Sequence, residues 1–211
     1  MQSWRPRDFE PLPADSNRRT HSPVLDPYNP MNDGALWLFG YGSVIYRPSF
    51  PFVEQRHATL RGWARRFSQK SDDHRGTPAL PGRVVTLVAR EGARVRGVAF
   101  RIDAKRSESV LEELDHRERA GYERSAVTIE LDGGAHARAV VYIAHRGNAW
   151  DAGDEGEDEI AATILRAHGP SGSNVEYLFR LAEALRALGD PDPHVLALEA
   201  AVRAQGRAVT Q

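Results

Sequence analysis

The chain is 211 residues long, 41% hydrophobic and 27% charged, with a formal net charge of -1 and no cysteine. That length holds one domain with a substantial core and a modest extension, and falls short of two full domains. The near-neutral balance gives no electrostatic basis for a nucleic-acid or membrane partner, and the missing cysteines exclude disulfides, thiolate metal sites and a cysteine nucleophile. No stretch approaches 18 apolar residues, and the opening MQSWRPRDFEPLP contains no signal-peptide-like run, so a cytoplasmic location is the default expectation.

Six of the 13 prolines fall within residues 1–34 (Pro6, Pro11, Pro13, Pro23, Pro27 and Pro30). Proline removes backbone donors and blocks both regular elements, so these residues read as an extended arm, partly disordered or lying on the surface through Trp4, Phe9 and Tyr28. Ordered structure is expected over 35–205, with 206–211 as a tail. The apolar run 35–41 (ALWLFGY) suits a buried strand. Strands are expected at 59–67, 83–89 and 94–102, the last two joined by a hairpin-like connection at 90–93.

A helix is expected over about 107–119, then a hairpin from 127–131 to 137–144 around Asp132, Gly133 and Gly134. From Asp158 onward the pattern is helical, with Ser173 and Glu176 forming a capping box. The acidic run 151–159 (DAGDEGEDE) reads as a solvated loop, because its carboxylates lack the spacing of a calcium loop. Strands first and helices last predict an α+β fold.

Two features could carry chemistry. Gly40, Tyr41, Gly42, Ser43, Val44 and Ile45 directly follow the first strand, and glycines there let backbone N–H groups converge on an anion or oxyanion. The run is neither a dinucleotide fingerprint nor a P-loop, and a plain tight turn is the alternative. The second feature is Glu118. On a helical wheel at about 100° per residue, Glu118 falls inside the apolar stripe of Val110, Leu111 and Leu114, whereas Glu112, Glu113, Asp115, His116 and Arg119 fall outside it. An inward carboxylate is unfavourable unless paired, protonated or used; an ion pair with Arg117 is the structural alternative.

The eight histidines show no HExxH or similar spacing, so zinc is not expected, and Ser43 lacks the G-x-S-x-G setting of a serine hydrolase that would use His74. Leu178, Leu181, Leu185 and Leu188 form an ordinary core stripe, with Tyr177 beside it.

Taken together, several strings resemble the ChaC-like, glutathione-specific γ-glutamylcyclotransferase family: FGYGSVI (39–45), DHRGTP (73–78), PGRVVTL (81–87), GVAF (97–100), RERAGY (117–122) and GPSGSN (169–174) followed by EYL (176–178). They occur in the family's order and span roughly residues 36 to 202. The resemblance implies a mixed sheet curled into a small barrel with surrounding helices, and Glu118 as the active-site glutamate. It also implies the loop from Gly40 to Ile45 as the substrate loop, with no metal and no organic cofactor. Val44 stands where Leu is usual and Tyr46 where Trp is common, which predicts altered packing with the backbone chemistry retained. Arg75, Arg83 and Tyr177 are candidate contacts for the peptide end, each of which could instead fasten a loop or fill the core.

The implied reaction is intramolecular aminolysis of glutathione to 5-oxoproline and Cys-Gly. The alternatives are a cyclotransferase for other γ-glutamyl amino acids or γ-glutamylamines, and a non-catalytic γ-glutamyl-peptide binding or regulatory protein.

Overall fold

The computed structural model describes residues 35–118 and 120–209; the arm read over residues 1–34 lies outside them. Five strands close into a barrel in the order β1-β3-β2-β4-β5: β1 (Leu36–Gly40), β2 (Glu54–Ser71), β3 (Gly82–Ile102), β4 (Tyr122–Leu131) and β5 (His136–Ala144). Neighbours are antiparallel except where β5 returns to β1, pairing parallel through Trp37 with Ala139 and Leu38 with Val140. Helix α1 (Ser107–Arg117) links β3 to β4. After the barrel come α2 (Glu157–Arg166), the short paired strands β6 (His168–Gly169) and β7 (Gly172–Ser173), α3 (Asn174–Ala187) and α4 (Pro193–Val209). The result is the mixed α+β architecture expected above, with the sheet closed.

Three local expectations change. Residues 83–89 and 94–102 belong to one 21-residue strand, not to two strands of a hairpin. Both halves pair antiparallel with β2, and the register shifts where Gly62 alone stands opposite residues 90–93. Gly92, with φ +72°, therefore serves a bulge and not a reversal. The helical region after 158 is broken by the β6–β7 pair, in which Gly169 packs so closely that a Cβ there would lie 2.4 Å from the His74 carbonyl oxygen. Helix α4 continues to Val209, through residues read as the start of a tail.

The core explains where α1 sits. Val110 and Leu114, one helical turn apart, are its buried residues, and they join Leu38, Phe50, Val98, Phe100, Ile102 and Tyr142 in one cluster. Phe100 is flanked edge-on by Phe50 and Phe52 at centroid separations of 5.5 and 5.1 Å. Gly97 lets β1 lie close against β3: a Cβ there would meet the Gly40 carbonyl oxygen at 2.3 Å.

Arg65 is 1% exposed. Its Nε donates to the Tyr41 carbonyl at 2.9 Å, its Nη2 to the Arg96 carbonyl, and its Nη1 to Asp192 at 3.3 Å. Asp192 also accepts the N–H groups of His194 (3.0 Å) and Val195 (3.3 Å), capping α4. Asp192→Ala leaves a buried guanidinium without its counter-charge, so stability should fall by about 3–5 kcal/mol, measured as urea unfolding midpoint and slope; Asp192→Asn, which retains a cap, should lose less.

His194 Nε2 accepts the Phe67 N–H at 3.2 Å, which requires an unprotonated nitrogen there. Burial, aided by Arg66, holds its pKa below the ordinary 6.5 against the opposing pull of Asp192 and Glu157. On acidification the unfolded chain therefore takes up this proton first. The corresponding stability should be complete above about pH 6.5 and decline below it. Urea midpoints followed from neutral to mildly acidic pH should show a shallower decline in His194→Gln than in the parent.

Candidate active site

Strand β1 ends at Gly40, and the chain passes through Tyr41 and Gly42 into a 3₁₀ turn, Ser43–Ile45. The Tyr41 carbonyl is held by Arg65, and the Tyr41 hydroxyl donates to the Tyr142 carbonyl at 2.8 Å. The bonds of the turn begin with the Ile45 N–H, which donates to the Gly42 carbonyl at 3.1 Å; Tyr46 and Arg47 then donate to Ser43 at 3.2 and 2.8 Å. The N–H groups of Gly42, Ser43 and Val44 precede these bonds, and no hydrogen bond among the described residues uses them, as at a helix start. A Cβ on Gly40 would meet Val44 Cγ1 at 2.9 Å, so Val44 packs directly over the strand end.

Glu118 approaches from α1. The helix stops at Arg117, one residue before Glu118, which is the cap (φ -88°, ψ 38°) and donates its N–H to the Leu114 carbonyl at 2.8 Å. The expected helix to 119 is thus shorter, but the 110–114–118 spacing still carries Glu118 onto the buried face. Its side chain is 23% exposed, and its Oε1 accepts from Arg117 Nε and Nη2, both at 3.1 Å. Arg117 also donates to Ser49. The ion pair that the sequence left as an alternative is therefore present, and the same carboxylate nevertheless faces a cavity.

That cavity has two adjoining chambers. The inner one, about 70 Å³, is walled by the Gly40, Tyr41, Gly42, Ser43 and Val44 loop together with Val85, Tyr142 and others. The outer one, about 350 Å³, includes Arg47, Lys70, Asp73, His74, Arg75 and Arg117. Ser43, Glu118, Tyr122 and Tyr177 line both, and Glu118 is the one carboxylate among these shared residues. The phenols complete the inner wall. Tyr177 accepts the Val85 N–H at 3.3 Å, and Tyr122 donates to the Val85 carbonyl at 2.8 Å. Burial pushes the Tyr41, Tyr122 and Tyr177 hydroxyls well above the usual tyrosine range, so they remain protonated at neutral pH. Among the residues common to both chambers, Glu118 is the group suited to take a proton.

The remaining expected residues separate. Arg75 lines the outer chamber, lies 5.5 Å from the Tyr177 ring centroid, and donates to Glu176 and the Ser173 carbonyl, both at 3.2 Å. Arg83 lines neither chamber: its guanidinium grips Glu155 at 2.8 and 2.6 Å, fastening the loop before α2. Its backbone is clamped instead, since Asn174 accepts the Arg83 N–H at 2.6 Å and donates to its carbonyl at 2.8 Å. Ile45 belongs to the turn and lines neither chamber. His74 pairs with Asp73 at 2.8 Å, and no hydrogen bond among the described residues joins it to Ser43.

Sequence reasoning overlooked the support of the segment after Glu118. Gln69, 1% exposed, donates to the Ala120 carbonyl at 2.6 Å and exchanges amide hydrogen bonds with Asn148 at 3.1 Å. Gly121 adopts φ +80°, and a Cβ there would lie 2.5 Å from Asn148 Oδ1, so both its conformation and its contact demand glycine. A glutamine in a strand carries no sequence signal of this role.

A larger cleft, about 870 Å³, lies along β2, β3 and the start of α4. It reaches neither Glu118 nor the glycine loop, and among its arginines Arg65, Arg94 and Arg146 face Asp192, Asp190 and Asp154. The acidic run is similarly engaged: Asp151 accepts the N–H groups of Gly147 and Gly153, and Glu159 accepts that of Gly156.

This geometry has known relatives. The profile of the ChaC-like protein family matches residues 36–205. Human glutathione-specific gamma-glutamylcyclotransferase 1 is 37% identical over 192 residues, covering 87% of this chain and 86% of the human protein. Gamma-glutamylcyclotransferase 2-3 of Arabidopsis thaliana is 41% identical over 177 residues, covering 80% and 89%. The crystal structure of a yeast γ-glutamyl cyclotransferase specific to glutathione superimposes with a TM-score of 0.76 at 32% identity, covering 81% of this chain and 96% of the yeast chain. A barrel mouth built from an N-terminal glycine loop and a helix-capping glutamate, matched along nearly the whole described chain, makes this protein a member of the ChaC-like family.

Proposed function

We propose that this protein is a glutathione-specific γ-glutamylcyclotransferase that converts glutathione to 5-oxoproline and Cys-Gly, with Glu118 as general base. The observation that carries the reading is the shared position of Glu118: one carboxylate at the junction of two chambers, with the loop residues Gly42, Ser43 and Val44 lining the inner one. The names of the curated relatives and of the yeast structure point to the same activity. Glutathione is the thiol pool of the reducing cytosol, so the proposed setting is cytoplasmic. No helix among the described residues is long and apolar enough to cross a membrane.

In glutathione the α-amine and the γ-carbonyl carbon belong to one residue. Folding that residue brings them together to close a five-membered lactam, and holding the geometry removes much of the entropic barrier, about 7–11 kcal/mol in well-oriented systems. Glu118 takes the ammonium proton, the amine attacks the γ-carbon, and the carbonyl electrons move onto oxygen. Collapse re-forms the lactam carbonyl and breaks the bond to the Cys-Gly nitrogen, which receives the first proton from Glu118. The attacking nitrogen gives up its second proton to the regenerated carboxylate and from there to the released amine, leaving a neutral lactam and a Cys-Gly ammonium. The N–H groups of Gly42, Ser43 and Val44 hold the negative charge of the glutamyl part. Donors of this kind commonly contribute about 10²–10³ in rate.

Arg117 fits this sequence as the carboxylate's resting partner. The incoming ammonium replaces one charged neighbour of Glu118 with another, so the carboxylate does not lack a cation at either stage. Arg75 and Tyr177 shape the wall between the glycine loop and α3.

Glu118→Gln should lower 5-oxoproline release by at least about 10²–10⁴-fold while thermal unfolding stays near that of the parent; near-normal turnover by this variant would remove Glu118 as the base. Parallel assays of glutathione, γ-Glu-Ala and γ-glutamyl-lysine should show turnover concentrated on glutathione, unchanged by a chelator. Comparable rates on the other two would assign the protein to a broader cyclotransferase activity, and ligand binding without product would assign it to regulation.

A further inference from the structure

Resting on that reading, we infer that Lys70 is a specificity residue: its ammonium receives the glycyl carboxylate of the substrate in the outer chamber. The argument begins with the charges that line this chamber. Asp73 is paired with His74, Glu118 with Arg117, and Arg75 with Glu176. Arg47 and Lys70 remain, and neither cation has a carboxylate partner among the described residues. The outer chamber thus offers positive charge that the fold does not consume, while the carboxylate shared with the inner chamber is reserved for an ammonium.

A γ-glutamyl tripeptide presents the matching pattern. Its α-ammonium belongs beside Glu118, and its glutamyl carboxylate or developing oxyanion beside the glycine-loop donors. Its remaining ionised group is the C-terminal carboxylate, at the far end of the dipeptide that will leave. That end must lie in the outer chamber, because the chambers meet at Ser43, Glu118, Tyr122 and Tyr177, where the scissile amide is cut.

Lys70 is better placed for this than Arg47. Arg47 is exposed on the chain leaving the 3₁₀ turn. Lys70 is half-buried, and its backbone is fixed on both sides: it pairs with Arg83 in the β2–β3 ladder, and its N–H donates to the Trp150 carbonyl at 2.8 Å. Its neighbour Gln69 holds the segment that follows Glu118. The cation that would anchor the peptide end and the amide that positions the base thus come from adjacent residues of one strand, so the distance between the two ends of the substrate is set by rigid backbone. A cation pre-placed in this way favours a substrate with a terminal carboxylate over an otherwise identical one without it.

The test compares glutathione with its glycine-carboxamide analogue, which differs only in that charge. In the parent, kcat/KM should favour glutathione by about tenfold, the scale of one charge-assisted contact. In Lys70→Met the preference should shrink toward unity, chiefly through a higher KM for glutathione, and Lys70→Arg should restore much of it. Calorimetric binding of both ligands in the Glu118→Gln background reads the same discrimination without turnover.

Absence of turnover in the parent would therefore remove the proposed activity while the binding arm still decides the role of Lys70. Equal handling of acid and amide by the parent overturns the inference. So does a preference that survives in Lys70→Met, or one that is lost in Arg47→Met and kept in Lys70→Met.

Discussion

The buried guanidinium of Arg65 is the point on which the site's framework turns. A cation with almost no access to water is tolerated only if its hydrogens are taken, and here they are taken by two backbone carbonyls and one carboxylate. Each acceptor belongs to a different part of the chain. The Tyr41 carbonyl is where β1 gives way to the glycine loop, the Arg96 carbonyl lies in the middle of β3, and Asp192 caps α4. Satisfying one charge therefore ties the loop that carries the N–H donors to the longest strand and to the last helix. The loop's geometry therefore depends on electrostatics in the interior as well as on the loop's own glycines and turn bonds.

Closure of the barrel then determines which groups meet. The five-residue β1 lies between β3 and β5, and only glycine at position 97 allows it to approach so closely. With β1 in that slot, the glycine loop emerges at the same end of the barrel as the C-terminus of α1, because Leu114 and Val110 share a core with Leu38 and Phe100. Glu118 and the donors of Gly42, Ser43 and Val44 are separated by over seventy residues in the chain. One apolar cluster places them on the walls of one chamber.

The surroundings of Glu118 are consistent with proton transfer of a simple kind. Three buried phenols hold their protons, and two of them are spent on the main chain of Val85. They give the inner chamber a wall that is apolar in bulk and hydrogen-bonded at its edges. The glutamate itself remains accessible, with Arg117 beside it and Gln69 and Asn148 bracing the following turn. In the proposed reaction the nucleophile, the electrophile and the leaving group all arrive within one substrate, which would leave the protein to fold that substrate, move a proton and hold a charge.

Much of this was legible in the sequence. The 110–114–118 spacing marked an inward carboxylate, and the glycines after an apolar run marked a place where backbone donors could converge. Both are local properties, set by helical periodicity and by the absence of a Cβ. The hairpin at 131–136 was equally local, because adjacent glycines with positive φ specify it. What the sequence could not reveal depended on partners far along the chain. The segment at 90–93 resembles a turn until β2 is seen to run past both halves of β3. Arg83 resembles a substrate contact until Glu155, 72 residues away, is found in its grip. Gln69 and Lys70 look like any polar pair in a strand, and only the folded barrel decides that one braces the turn after the glutamate and the other faces the cavity. Short-range sterics and periodicity are written in neighbouring residues, whereas closure, charge pairing and the walls of a cavity arise only when distant segments compete for the same buried space.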